Sequence, residues 1–245
     1  MAKERHLEKP PITEAVIDYR VKLHRELTTE DFGKVKELLR ERYPKCEEQR
    51  MFEGKFEFSG KATAAEAKHD FHGYWFKTED ELNIAQFRVD GFTFNRLKPY
   101  TSWDAVFAEA SELWKLYVSS FSPELVTRIA ARYINHLLLP LPAELSEYLT
   151  EPPRIPEGIP QELAGFFMRI TINDHESGIT VNIMQGLESS LDPKFATIVL
   201  DIDAFMNREF EVDNNLLARS FELIRKAKNR IFFKSVSEKT LELLK

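Results

Sequence analysis

Apolar and polar residues alternate with period two at the start of the chain. Ala15, Ile17, Tyr19, Val21 and Leu23 fall on one side, and Val16, Asp18, Arg20, Lys22 and His24 on the other. That period predicts a half-buried strand with most of the second set in water. Thr28 or Thr29 then caps a helix with Glu30 and Asp31 in its first turn, where acidic groups suit the helix dipole. Phe32, Val35, Leu38 and Leu39 form its apolar stripe and Pro44 stops it. Strands are predicted at Met51 to Phe58, Phe71 to Lys77 and Leu82 to Val89, the last two joined by the polar turn Thr78-Glu79-Asp80-Glu81. Lys61 to His69, polar and Ala-rich, reads as a loop or one helical turn. Gly91 marks a bulge before a short strand through Phe94. Ser102 caps a long helix whose core face is Trp103, Val106, Phe107, Ala110, Leu113, Trp114 and Tyr117.

The second half opens on a long strand, Val126 to Leu139, with Ile129, Ala131, Tyr133 and Leu137 on one face and Arg128, Arg132 and His136 on the other. A connection holding Pro140, Pro142, Pro152, Pro153, Pro156 and Pro160, with a short helix near Ala143 to Leu149, is the best candidate boundary, and its prolines make it rigid. Strands follow at Phe166 to Asn173, Ile179 to Met184 and Ala196 to Ile202. Asp213 or Asn214 caps a helix running to about Phe233, and Ser237 a last short one.

Two stretches echo each other. Phe87-Arg88-Val89-Asp90-Gly91-Phe92 through Asn95-Arg96 matches Leu200-Asp201-Ile202-Asp203-Ala204-Phe205 through Asn207-Arg208, with Asp90 against Asp203 at 203 − 90 = 113. Glu112-Leu113-Trp114-Lys115 matches Glu222-Leu223-Ile224-Arg225 at 222 − 112 = 110, and Tyr19 matches Tyr133 at 133 − 19 = 114. Near-equal offsets from separate elements predict an internal duplication of a strand, helix, three strands, helix unit, with pseudo-repeats 1–123 and 124–245 sharing one sheet. The expected class is therefore α+β, an antiparallel sheet with helices on one face. Its element order is that of a tandem saddle similar to the TATA-binding-protein fold, a likeness that carries no function.

With 245 residues, 43% hydrophobic and 30% charged, the chain has enough bulk for a core. A net charge of −6 argues against sequence-independent nucleic-acid binding. Cys46 is the single cysteine, so neither an intrachain disulfide nor a cysteine metal cluster can form. No apolar run approaches the roughly 20 residues of a membrane span, and Met1 to Lys9 lacks the apolar core of a signal peptide. The expectation is a cytoplasmic protein.

With helices on one face of the sheet, the other face carries the polar members of the strands. Arg20, Arg128, Arg132 and His136 are the candidate ligand-binding residues, since guanidiniums on one strand face can grip a carboxylate or phosphate. Asp18, Arg88, Asp90, Arg169, Thr171, Asn182, Asp201 and Asp203 would share that face. Asp201 and Asp203, two apart on a strand, are weak candidates for holding Mg²⁺ in a phosphoester hydrolase. His69-Asp70-Phe71-His72 is too sparse for a metal site, and His175-Glu176 lies in a turn. Nucleophile elbows, phosphate loops and dinucleotide fingerprints are absent from the sequence, and no cofactor is expected.

Pro10-Pro11-Ile12-Thr13-Glu14-Ala15-Val16-Ile17, the segment Phe92 to Trp103 with Arg96, Leu97 and Tyr100 inside it, and the strand Arg132-Tyr133-Ile134-Asn135 resemble three motifs of a sporadically distributed prokaryotic family of uncharacterised proteins. The resemblance implies no catalytic residues, and patchy distribution suits an accessory or defence-linked role. The expected function is a non-enzymatic module binding a protein or an anionic small ligand, as a monomer or homodimer. The alternatives are the metal-dependent hydrolase and a nucleic-acid-binding saddle.

Overall fold

The computed structural model describes residues 7–59, 62–188 and 192–245, with the backbone alone over 52–69. Among the described residues, nine strands form one open, wholly antiparallel sheet in the order β2-β3-β4-β5-β1-β6-β9-β8-β7. They are β1 (Ile12–Lys22), β2 (Lys45–Ser59), β3 (Ala62–Lys77), β4 (Asn83–Arg88), β5 (Gly91–Leu97), β6 (Leu125–Pro140), β7 (Phe167–Asp174), β8 (Ile179–Glu188) and β9 (Phe195–Phe210). The helices are α1 (Gly33–Leu39), α2 (Trp103–Phe121), α3 (Leu145–Tyr148), α4 (Asn214–Ser235) and α5 (Glu238–Leu243), with a 3-10 turn at Thr29–Phe32 leading into α1. The class is α+β, and no helix among the described residues is long and apolar enough to cross a membrane.

The caps sit where the sequence puts them. Ser102 Oγ accepts from Ala105 N at 3.2 Å, Asp213 Oδ1 from Asn215 N and Leu216 N at 2.7 and 2.8 Å, and Ser237 Oγ from Thr240 N at 3.3 Å. Each satisfies an N–H that the first turn of a helix leaves without a partner. At the first helix, Asp31 reaches back to accept from Thr28 N at 2.8 Å.

One face of the sheet takes α2 and α4 side by side. Tyr19 of β1 marks their junction: its ring stacks on Trp114 of α2 at 4.2 Å and meets Phe221 of α4 at 5.0 Å. Phe32, ahead of α1, packs on Phe71 and Tyr74 of β3 and on Phe121 of α2, so the first helical segment lies on the same face. The core is the helix-facing half of each central strand. Ala15, Ile17, Phe87, Phe92, Ile129, Ala131, Leu200, Ile202 and Ala204 are fully buried there. β7 is one of the two edge strands, and it leaves Phe167, Ile170 and Ile172 exposed, Phe167 by 73%.

Several expectations shift. Within the stretch expected to be a loop or one helical turn, Ala62 to His69 are strand instead: β3 runs continuously from Ala62, paired with β2 back to Ser59. Alanine and polar residues can sit in a strand whose backbone partner is supplied by a neighbour, because β-propensity yields to context. Lys61 lies outside the described residues. β9 is longer than expected and continues through Phe210, which sets Asp203 in mid-strand opposite Arg132. Asp90, its expected echo, lies in the turn between β4 and β5. Across from β1 it is Thr93 that faces Asp18, as Asp203 faces Arg132 across from β6, so Asp90 and Asp203 do not occupy matching positions.

Gly91 opens β5 at φ +154, and a Cβ there would stand 2.0 Å from the Tyr19 carbonyl oxygen. Only a residue without a side chain lets the two backbones approach so closely. Rather than a bulge, it is the first paired residue of β5, opposite Arg20.

Candidate functional site

On the face opposite α2 and α4, alternation gathers a second set of side chains. β1 contributes Glu14, Asp18 and Arg20, β4 Gln86 and Arg88, β5 Thr93 and Asn95, β6 Arg128 and Arg132, and β9 Asp203, around a concavity of about 410 Å³. The register explains the convergence: Asp18 faces both Thr93 and Ala130, and Arg20 faces Arg128. Small residues beside long ones leave the hollow.

Asp18 is its hub. It is 7% exposed, and its two oxygens accept from Arg88 at 3.0 Å, Thr93 at 2.6 Å and Arg128 at 2.8 Å. Arg20 stands 3.5 Å away and is bound to Asp90, which also accepts from Arg88 at 3.1 Å. Arg128 reaches on to Asp203 at 3.2 Å and lies over the Phe205 ring at 4.5 Å. Arg132 forks onto Asp201, Nε donating to Oδ1 at 2.9 Å and Nη2 to Oδ2 at 2.5 Å. Asn95 donates to Glu14 at 2.6 Å and accepts from Gln86 at 2.9 Å.

Burial by itself would raise the Asp18 pKa, but Arg88, Arg20, Thr93 and Arg128 outweigh it and hold the carboxyl below its ordinary value. Asp203 goes the other way: burial raises it, and Arg128 and Arg132 only partly offset the rise. His72, buried beside this turn with Nε2 3.6 Å from Asp90, is lowered by its burial.

Of the residues expected to bind, Arg20, Arg128 and Arg132 meet in the hollow, and their guanidiniums already hold carboxylates. His136 lies farther along β6, opposite Val199, half-buried and outside the hollow. Asp201 and Asp203 share the face, each held by an arginine. Among the described residues no three of His, Cys, Asp and Glu converge as a cation site would require. His175 and Glu176 lie in the β7–β8 turn.

Sequence reasoning missed Glu14, Gln86, Thr93 and Asn95. The signal was there in β5, where Phe92 and Phe94 alternate with Thr93 and Asn95. The fold is thus that of an open-sheet α+β protein with a charged hollow on the face opposite α2 and α4. No family model matches the chain, and no curated protein is similar to it at a significant level.

Proposed function

We propose that the protein is a non-enzymatic binding module whose strand face opposite α2 and α4 receives a ligand or protein segment presenting an anionic group beside hydrogen-bonding groups. The observation that carries this reading is the hollow around Asp18, where Arg20, Arg88, Arg128 and Arg132 converge with Asp18, Asp90, Asp201, Asp203 and Glu14. The inner pairs hold the geometry. The outer guanidiniums, Arg20 at 39% and Arg132 at 42% exposure, are the ones an incoming carboxylate or phosphate can reach. An arginine already oriented by one carboxylate loses little freedom on gripping a second anion, and its planar fork suits that task. The nearly balanced charge of the hollow favours a ligand with both signs or a polar backbone over a bare polyanion. It weighs against a nucleic-acid saddle, whose phosphates would meet five carboxylates. It weighs equally against a hydrolase built on Asp201 and Asp203, whose oxygens are engaged by arginine.

The same reading takes the chain as a fused duplication with a saddle-like sheet. β1 and β6 pair at the centre, each flanked by the last strand of its own half, β5 and β9. Tyr19 faces Phe92 and Tyr133 faces Ile202, offsets of 114 and 202 − 92 = 110, the values seen for the first strands and for the helices. The three-motif resemblance to an uncharacterised prokaryotic family fits a binding role without adding chemistry.

Native mass spectrometry of gently purified protein beside its denatured mass, repeated on Arg20→Ala/Arg132→Ala, tests the function. The expected result is an adduct, or a mass shift with added phosphopeptide or acidic peptide, that the folded double variant loses. Adducts and shifts identical in the two proteins would refute it, as would none in either.

A further inference from the structure

On the other side of the sheet, between β1, β6 and the ends of α2 and α4, lies a separate cavity of about 280 Å³. Its walls include Pro10, Pro11, Tyr100, Trp103, Tyr133 and Phe232. The three segments singled out in the sequence, Pro10 to Ile17, Phe92 to Trp103 and Arg132 to Asn135, meet around it, although they are far apart in the chain.

Lys228 of α4 also lines this cavity and is only 5% exposed. Along the helix, Leu217, Phe221 and Ile224 precede it at core spacing, so the lysine occupies a position that an apolar residue would ordinarily fill. Its Nζ donates to Asn229 Oδ1 at 2.8 Å and lies 3.4 Å from the centre of the Tyr133 ring. Among the described residues no carboxylate lies within 4.0 Å of it. A buried ammonium lacking a counter-ion is costly, and proteins generally supply one. Burial, reinforced by Arg225 one turn back, lowers the Lys228 pKa to about 7. The Tyr100 and Tyr133 hydroxyls are 3.0 Å apart; one hydrogen serves the bond between them, and the other remains to be donated. The other charged groups lining the cavity are Arg225 and Asp104, the latter exposed in the first turn of α2.

We propose that this cavity binds a small carboxylate with an aromatic or apolar body, its charge anchored by Lys228 and its body packed among Trp103, Phe232 and the two prolines. The carboxylate supplies a counter-ion that the described residues do not, and the amine takes up a proton as the ligand enters. The cavity volume falls just below the usual range of ligand sites, about 300–1,000 Å³, which suits a single ring or short chain. This site is distinct from the strand-face hollow, and either could fail without the other.

Isothermal titration calorimetry with benzoate, phenylacetate and hexanoate, each beside its uncharged amide, tests it. We expect at least one acid to bind at least tenfold more tightly than its amide. Binding should take up protons at pH 7.5, read as a heat that changes between buffers of different ionisation enthalpy. Lys228→Met, checked for folding by circular dichroism, should abolish the preference for the acid, and Lys228→Arg should keep most of it. Arg20→Ala/Arg132→Ala should bind the acid as the wild type does. Equal affinity for acids and amides would overturn the proposal, as would unchanged acid binding by Lys228→Met. So would loss of acid binding in the Arg20/Arg132 variant, or no binding of any acid to the wild type at millimolar concentration.

Discussion

Replacing Asp18 with alanine removes the shared counter-ion of Arg88, Arg128 and Arg20 at once. Arg88 suffers most, because it is 5% exposed and loses its 3.0 Å bond to Asp18. Breaking a buried ion pair by deleting one partner costs about 3–5 kcal/mol. Here the cost should fall near the lower end, about 3 kcal/mol, since Arg88 keeps Asp90 at 3.1 Å and Arg128 keeps Asp203 at 3.2 Å. For a chain of this length that corresponds to a fall in Tm of roughly 6–12 °C. Urea unfolding and calorimetry would measure it, within a double-mutant cycle that includes Arg88→Met. The two changes should be coupled by about 0.5–3 kcal/mol. A loss under about 1 kcal/mol, or additivity within about 0.5 kcal/mol, would refute the role of Asp18 as the hub. The pH dependence carries the same signature. The folded pKa of Asp18 is held below its ordinary value, so its contribution is present above the unfolded pKa of about 3.9 and is lost as pH falls through the folded value. The gap between wild type and Asp18→Asn should narrow in acid accordingly.

Asp203 should behave in the opposite sense. Its folded pKa is raised, so the protonated form contributes stability that is lost as pH rises through the folded value, and Asp203→Asn should match or exceed the wild-type Tm at pH 7 while the difference closes as pH falls below the unfolded pKa of about 3.9. Lys228, lowered to about 7, binds a proton more readily unfolded than folded. Wild-type stability from this group should therefore rise between about pH 7 and 10 by up to about 1.4 kcal/mol per unit, and urea midpoints of Lys228→Met across pH 6–9 should lack that slope. Gly91→Ala drives a methyl group to 2.0 Å from the Tyr19 carbonyl and should destabilise by at least about 1–3 kcal/mol; a thermal melt unchanged from wild type would show that the β1–β5 approach is looser than described.

Periodicity, with caps and turn residues, located the elements but not all of their ends. Local chemistry acts over a few residues, so Ser102, Asp213 and Ser237 could be recognised as caps from their side chains and the apolar runs behind them. The division of β1 and β6 into a core face and a polar face was equally legible, because every second residue must point the same way, and it assembled Arg20, Arg128 and Arg132 correctly on one side. Strand lengths were less so. The Ala-rich start of β3 is held by pairing with β2, and the far end of β9 by pairing with β6; neither partner is visible within a local window.

What the tertiary structure alone decided was pairing, in the sense of both register and charge. The sequence offered arginines and aspartates on a common face but not their partners. Register across β4, β5, β1 and β6 joined Asp18 to Arg88, 70 residues away, and to Arg128, 110 away, turning a set of presumed free guanidiniums into a braced network. The same long-range packing placed Lys228 against Tyr133 and closed a cavity around it. Helical spacing could mark that lysine as misplaced on a core face. Only the approach of β1, β6 and α2 determined what it would meet there, because the cost of a buried charge depends on every group around it and not on its place in the chain.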